Sequence, residues 1–86
     1  MIREKITVKN EVGLHVRVAV EFTKVANRFD SEVRLCKDGT WINGKSIVSV
    51  LTLGISRNNQ VILEVKGKDE VPCFKALKAI LQTEKL

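Results

Sequence analysis

Aromatic residues are scarce in this chain of 86: three Phe, one Trp and no Tyr. A formal charge of +5 leaves nucleic acid, an anionic membrane surface and acidic proteins open as partners. Scarce stacking surface, and Lys and Arg scattered rather than gathered into a run, weigh against the first. Cys36 and Cys73 are too few and too separate for a zinc site or a disulfide framework. Both are expected to be reduced, structural thiols, with no metal. No apolar run approaches the ~18 residues of a membrane span, and Met1-Ile2-Arg3-Glu4-Lys5 lacks the apolar region of a signal peptide. A soluble, cytosolic protein without membrane insertion is therefore expected. No internal repeat or low-complexity stretch appears. A chain of this length buries roughly 60–65% of its unfolded surface, enough for one core, so residues 1–86 should form a single monomeric domain.

Ile2 to Val8 alternates as a half-buried strand, with Ile6 and Val8 inward and Glu4 out of pattern. From Val16 to about Phe29 the period becomes helical: Val18, Ala19, Phe22, Val25, Ala26 and Phe29 share one face. Val16 and Val20 fall on the opposite side, where exposed valines suggest partner contacts. Glu32 to Lys37 alternates again, and Asp38-Gly39 is a two-residue hairpin signal before Thr40 to Asn43. That turn sets Leu35 opposite Ile42 on the inner face and Cys36 opposite Trp41 on the outer. Ser46 stands as the N-cap of a short helix that stops at Gly54. This helix has no polar face: Ile47, Val48 and Leu51 lie on one side, Val50 and Leu53 on the other. One side enters the core and the other is a docking surface; a wholly buried helix is the alternative. Gln60 to Lys66 forms the last strand, with Val61, Leu63 and Val65 inward. Asp69 caps a final helix, Pro72 is tolerated in its first turn, and Cys73, Phe74, Leu77, Ile80 and Leu81 form its buried stripe. The order βαββαβα describes an α+β fold, with helices segregated to one face of an antiparallel sheet.

One histidine exists, His15. Most lone histidines are satisfied surface or core residues, but this one sits at a junction between strand and helix. A helix beginning right after it turns unpaired N–H groups and a positive dipole end toward whatever anion the ring carries. Arg17 adds a charge and a fork of donors suited to phosphate. Gly13 permits a left-handed bend that turns the ring outward. Together these residues describe a phosphorylatable imidazole.

Gly13-Leu14-His15-x-Arg17-x-Ala19 resembles the active-centre signature of the HPr family, the histidine-containing phosphocarriers of the bacterial phosphoenolpyruvate-dependent sugar phosphotransferase system. The resemblance spans the chain, including Lys45-Ser46-Ile47 and Leu53-Gly54. It implies an open-faced sandwich with a four-stranded antiparallel sheet and three helices on one face. Two positions depart from the family pattern. Val18 stands where His-x-Arg-Pro-Ala has its proline, and Val12 where a polar residue is common. Bulk at Val16 and Val18 beside the ring bears on partner docking.

By this resemblance, His15 accepts a phosphoryl group on Nδ1 from enzyme I and passes it to the IIA domain of a sugar permease. Arg17 stabilises the added charge, and no cofactor is needed. The protein is then a covalent carrier rather than an enzyme. Val16, Val20, Ile47, Val48 and Leu51 form the partner surface. Ser46 matches the regulatory serine of HPr proteins from low-GC Gram-positive bacteria, which implies an HPr kinase/phosphorylase and a transcriptional regulator as further partners. A simple helix cap is the alternative role for Ser46. A diverged HPr relative that binds regulators without passing phosphate, and a small basic nucleic-acid-binding module, are the alternative functions.

Overall fold

The computed structural model describes residues 1–85. Seven elements follow in order: β1 (Ile2–Thr7), α1 (Val16–Ala26), β2 (Glu32–Lys37), β3 (Thr40–Asn43), α2 (Ile47–Thr52), β4 (Gln60–Lys66) and α3 (Glu70–Gln82). The strands form one antiparallel sheet in the order β1-β4-β2-β3, and the three helices cover one of its faces. This is the expected open-faced sandwich.

The hairpin follows from Asp38 and Gly39, whose φ values of 50° and 82° match the mirror-image turn that suits right-twisted strands. Leu35 accordingly pairs with Ile42 and Cys36 with Trp41. Inward residues of the sheet, including Ile6, Leu35, Leu63 and Val65, are fully buried against Phe22 of α1 and Leu77 and Leu81 of α3. Glu4, the residue out of pattern in β1, meets Lys78 of α3 at 2.9 Å at the half-exposed margin of the core.

Several local expectations need correction. α1 ends at Ala26, not near Phe29. Thr23 Oγ1 donates to the Ala19 carbonyl and Asn27 Nδ2 to that of Thr23, so side chains compete with the helix ladder at this end. Phe29 packs on the core from the turn beyond. Asp69 occupies the N-cap position of α3 but caps nothing there. Its carboxylate accepts instead from the Asp30 and Ser31 N–H groups and the Ser31 hydroxyl. The Ser31 hydroxyl bond and those two amides hold its carboxyl below the usual carboxylate range. The wholly buried alternative for α2 does not hold. Val50 is its one fully buried residue, worth about 1.5–3 kcal/mol, with Ile47, Leu51 and Leu53 half-buried.

On the outer face Trp41 is half-buried beneath two arginines. The guanidinium of Arg34 lies 4.5 Å from its ring centroid and that of Arg3 5.4 Å. Both arginines converge on Glu64, a nearly buried carboxylate in mid-sheet, which accepts from Arg3 Nε at 2.8 Å and Arg34 Nε at 3.0 Å. These bonds, Arg34's foremost, hold the Glu64 carboxyl below its ordinary value. Cys36 and Cys73 are both buried and unbonded; desolvation, and then the charge of Asp69, pushes the Cys73 thiol up. Among the described residues no helix is long and apolar enough to cross a membrane.

Candidate functional site

The segment between β1 and α1 places the histidine. Val8 extends the β1 pairing, donating to Asn59 O at 2.9 Å and accepting from Asn58 N at 2.8 Å. The next residues turn toward the end of α3: Lys9 N donates to Leu81 O and Glu11 N to Glu84 O. Gly13 then adopts φ +71°, donating to Asn10 O. A Cβ on Gly13 would lie 2.4 Å from the Ile55 carbonyl oxygen, so both conformation and space require glycine here. Leu14 is buried and its N–H donates to that same carbonyl at 3.0 Å. The chain is thus pinned on the core side one residue before His15.

His15 is the N-cap of α1 in the literal sense. Its backbone is extended (φ −81°, ψ −175°), its carbonyl accepts the first helical bond from Ala19, and its Nδ1 accepts from the Arg17 N–H at 3.4 Å. In the neutral ring this geometry leaves Nδ1 unprotonated and puts the proton on Nε2. The lone pair of Nδ1 faces the first turn, where no acidic side chain competes for the positive end of the helix. An anion attached at Nδ1 would meet N–H groups that lack helical partners. The imidazole is exposed and borders a concavity of about 350 Å³, lined also by Asn10, Glu11, Val12, Arg17 and Lys85. Arg17 is exposed, with no ion pair among the described residues.

Of the remaining expected residues, Val16 and Val48 are 60% and 68% exposed, and Val20 is exposed as well. These three present apolar surface on two helices that pack together. Ile47 and Leu51 contribute only their outer edges. Val18 is 2% exposed, on the core face that the helical period gives it, and it also lines the concavity that His15 borders. Ser46 is half-buried and caps α2, its Oγ accepting from Ser49 N at 3.3 Å. Sequence inspection missed Asn10, Glu84 and Lys85 as neighbours of the histidine. Nothing local marks them, because the fold brings residues 10 and 84 together from opposite ends of the chain.

The molecule is thus a small open-faced sandwich whose exposed imidazole caps a helix, with a basic side chain in the first turn and valines alongside. Residues 2–83 match the family described as "PTS HPr component phosphorylation site", and the chain belongs to the HPr family. Among its relatives, the phosphocarrier protein HPr of Neisseria meningitidis is 36% identical over 90% of this chain and 86% of its own length. The HPr-like protein Crh of Bacillus subtilis is 39% identical over 98% of this chain and 99% of its own. A crystal structure of Crh, described as a swapped dimer, superposes with a TM-score of 0.78 over 100% and 99% of the two chains. The crystal structure of HPr from Bacillus anthracis is closer in shape, with a TM-score of 0.91 at 31% identity over 94% of this chain and 96% of that one.

Proposed function

We propose that His15 is the phosphoryl acceptor and donor of a cytoplasmic phosphocarrier working between enzyme I and the IIA domains of sugar permeases. The observation that carries this is the orientation of His15 Nδ1 toward the N-terminus of α1, with Arg17 N at 3.4 Å. The Nδ1 lone pair attacks the phosphorus of the incoming phosphoryl group. The bond from phosphorus to the donor's leaving atom breaks as the N–P bond forms, and onward transfer reverses these events on the next acceptor. The helix terminus and the Arg17 guanidinium offset the charge that arrives with the group. Both are fixed before reaction, so little reorganisation is required. No cofactor takes part, and the domain is a covalent carrier rather than an enzyme with its own turnover. Its working unit is one chain, because His15, Arg17 and the first turn come from the same polypeptide. Exposed Val16, Val20 and Val48, with the edges of Ile47 and Leu51, serve as the apolar patch that partners desolvate. An HPr kinase/phosphorylase acting on Ser46, and a transcriptional regulator reading the result, are the further partners proposed.

Likeness to Crh supports a second reading, in which the chain binds regulators and passes no phosphate. Incubation with enzyme I and phosphoenolpyruvate, followed by intact mass, separates the two. The carrier gains a single acid-labile phosphoryl adduct, absent in His15→Ala and formed roughly tenfold more slowly in Arg17→Ala, the scale of one lost charge-assisted contact in the transition state. An unlabelled wild type, or an adduct that persists in His15→Ala, refutes the assignment.

A further inference from the structure

Asn10 lies in the loop before the histidine and is 1% exposed. Its Nδ2 donates to two carbonyls at the end of α3, Ile80 O at 2.9 Å and Thr83 O at 2.6 Å. Its own carbonyl receives the Gly13 N–H that closes the left-handed turn. The residues on either side are fastened to the same segment, Lys9 N to Leu81 O and Glu11 N to Glu84 O. Three consecutive residues of the loop are therefore clamped to residues 80–84, and only the middle one uses its side chain.

A helix end needs partners for its last carbonyls, but water supplies them wherever the end is open. The Asn10 amide does something water would not: it ties the loop before the histidine to the end of α3. Asn10 is also among the residues around the concavity that His15 and Arg17 border. An apolar residue would fill the space, but it would not hold the loop at a fixed distance from α3.

We propose that Asn10 is a positioning residue for His15. By clamping the end of α3 it fixes the Gly13 turn, and through that turn it holds the imidazole over the α1 N-terminus with Nδ1 inward. This rests on the phosphocarrier assignment of His15 for its functional consequence, though not for its geometry.

The test compares wild type with Asn10→Ala, with the milder Asn10→Ser in case the first fails to fold, and with Val33→Ala as a destabilised control in the sheet. Two quantities are read on each folded protein: kcat and KM for phosphoryl uptake from enzyme I, and the ¹⁵N shifts of the His15 ring, which report its tautomer. Expected for Asn10→Ala is a roughly tenfold lower kcat, KM within about twofold, and loss of the single Nε2–H tautomer, with Val33→Ala unchanged in both. An unchanged imidazole spectrum in the folded Asn10 variants overturns the proposal whatever the rates, as does an equal spectral change in Val33→Ala. Should wild type take up no phosphoryl group, the phosphocarrier assignment fails separately, and the imidazole spectrum still decides the role of Asn10.

Discussion

Gly13→Ala isolates the backbone geometry on which the site depends. Two effects add. An alanine held at φ +71° pays about 1–2 kcal/mol for the left-handed conformation. Its Cβ would also lie 2.4 Å from Ile55 O and 2.7 Å from Ser56 Cα, both backbone atoms that cannot rotate away. Relieving that overlap stretches or breaks the bond from Leu14 N to Ile55 O, worth about 1 kcal/mol net. The sum, about 2–3 kcal/mol, is a large share of the ~5–15 kcal/mol that holds a small domain folded, so the variant should still fold at low temperature. Gly39 supplies the control: its φ is +82°, but a Cβ there meets nothing within 4 Å. Gly39→Ala should show the conformational part alone, about 1–2 kcal/mol, and normal phosphoryl uptake. Denaturant titration of both variants, with m unchanged, measures the difference, and an enzyme I assay on the folded Gly13→Ala should show slower uptake. Equal destabilisation by the two substitutions would refute the steric reasoning.

Ser46→Asp keeps a capping oxygen, so stability should stay within about 0.5 kcal/mol, while a charge at the edge of the apolar patch weakens docking on an acidic partner. Unaltered uptake kinetics, together with no labelling by the kinase and ATP, would reduce Ser46 to a cap. Val18→Pro restores the family's usual residue at a position whose N–H precedes the first helical bond, from Ala19 to His15. Denaturation should show about 1 kcal/mol of lost packing instead of the ~3 kcal/mol of a mid-helix proline, with uptake maintained or faster. Glu64→Gln should destabilise by about 1–2 kcal/mol at pH 7, the low range for charge-assisted bonds because both guanidiniums are substantially exposed. Since folding lowers the Glu64 pKa, the unfolded chain binds more protons. The stabilisation is therefore present above the unfolded value near ~4.3 and lost as pH falls through the folded value. Denaturant midpoints from pH 7 to 3 should show the gap between wild type and variant closing in that window, and a constant gap would contradict the ion-pair account.

Local chemistry made much of this molecule legible from the amino-acid order. The Asp38-Gly39 turn fixed the register of a whole hairpin. The buried stripe of α3 followed from its spacing alone, as did the start of α1 at His15. What stayed hidden depends on contacts between distant segments. Glu64 looks like an outward residue in an alternating strand, and only the neighbours on both sides, Arg3 and Arg34, turn it into the centre of an ion cluster that covers its carboxylate. Asp69 has the identity and place of a helix cap, yet a loop 38 residues earlier takes its carboxylate. Val18 was assigned both to the core face and to the edge of the site, and it occupies both: buried on the core side of α1, it still lines the concavity beside His15. Within the site, His15, Gly13 and Arg17 were visible because one short motif contains them; Asn10 was not, because its partners lie 70 residues away.

The bonds that fasten residues 9–11 to residues 80–84 also set a time order on the birth of the site. Synthesis delivers His15 early, but β1 has no strand to pair with until β4 emerges, and the loop before the histidine has no anchor until the last turn of α3 does. A ribosome-bound chain, or one cut short within α3, therefore carries the histidine on an unformed loop. Phosphoryl donors would meet a competent imidazole only on molecules in which α3 has formed and docked, so a segment 70 residues beyond Asn10 acts as a licence for the chemistry at His15.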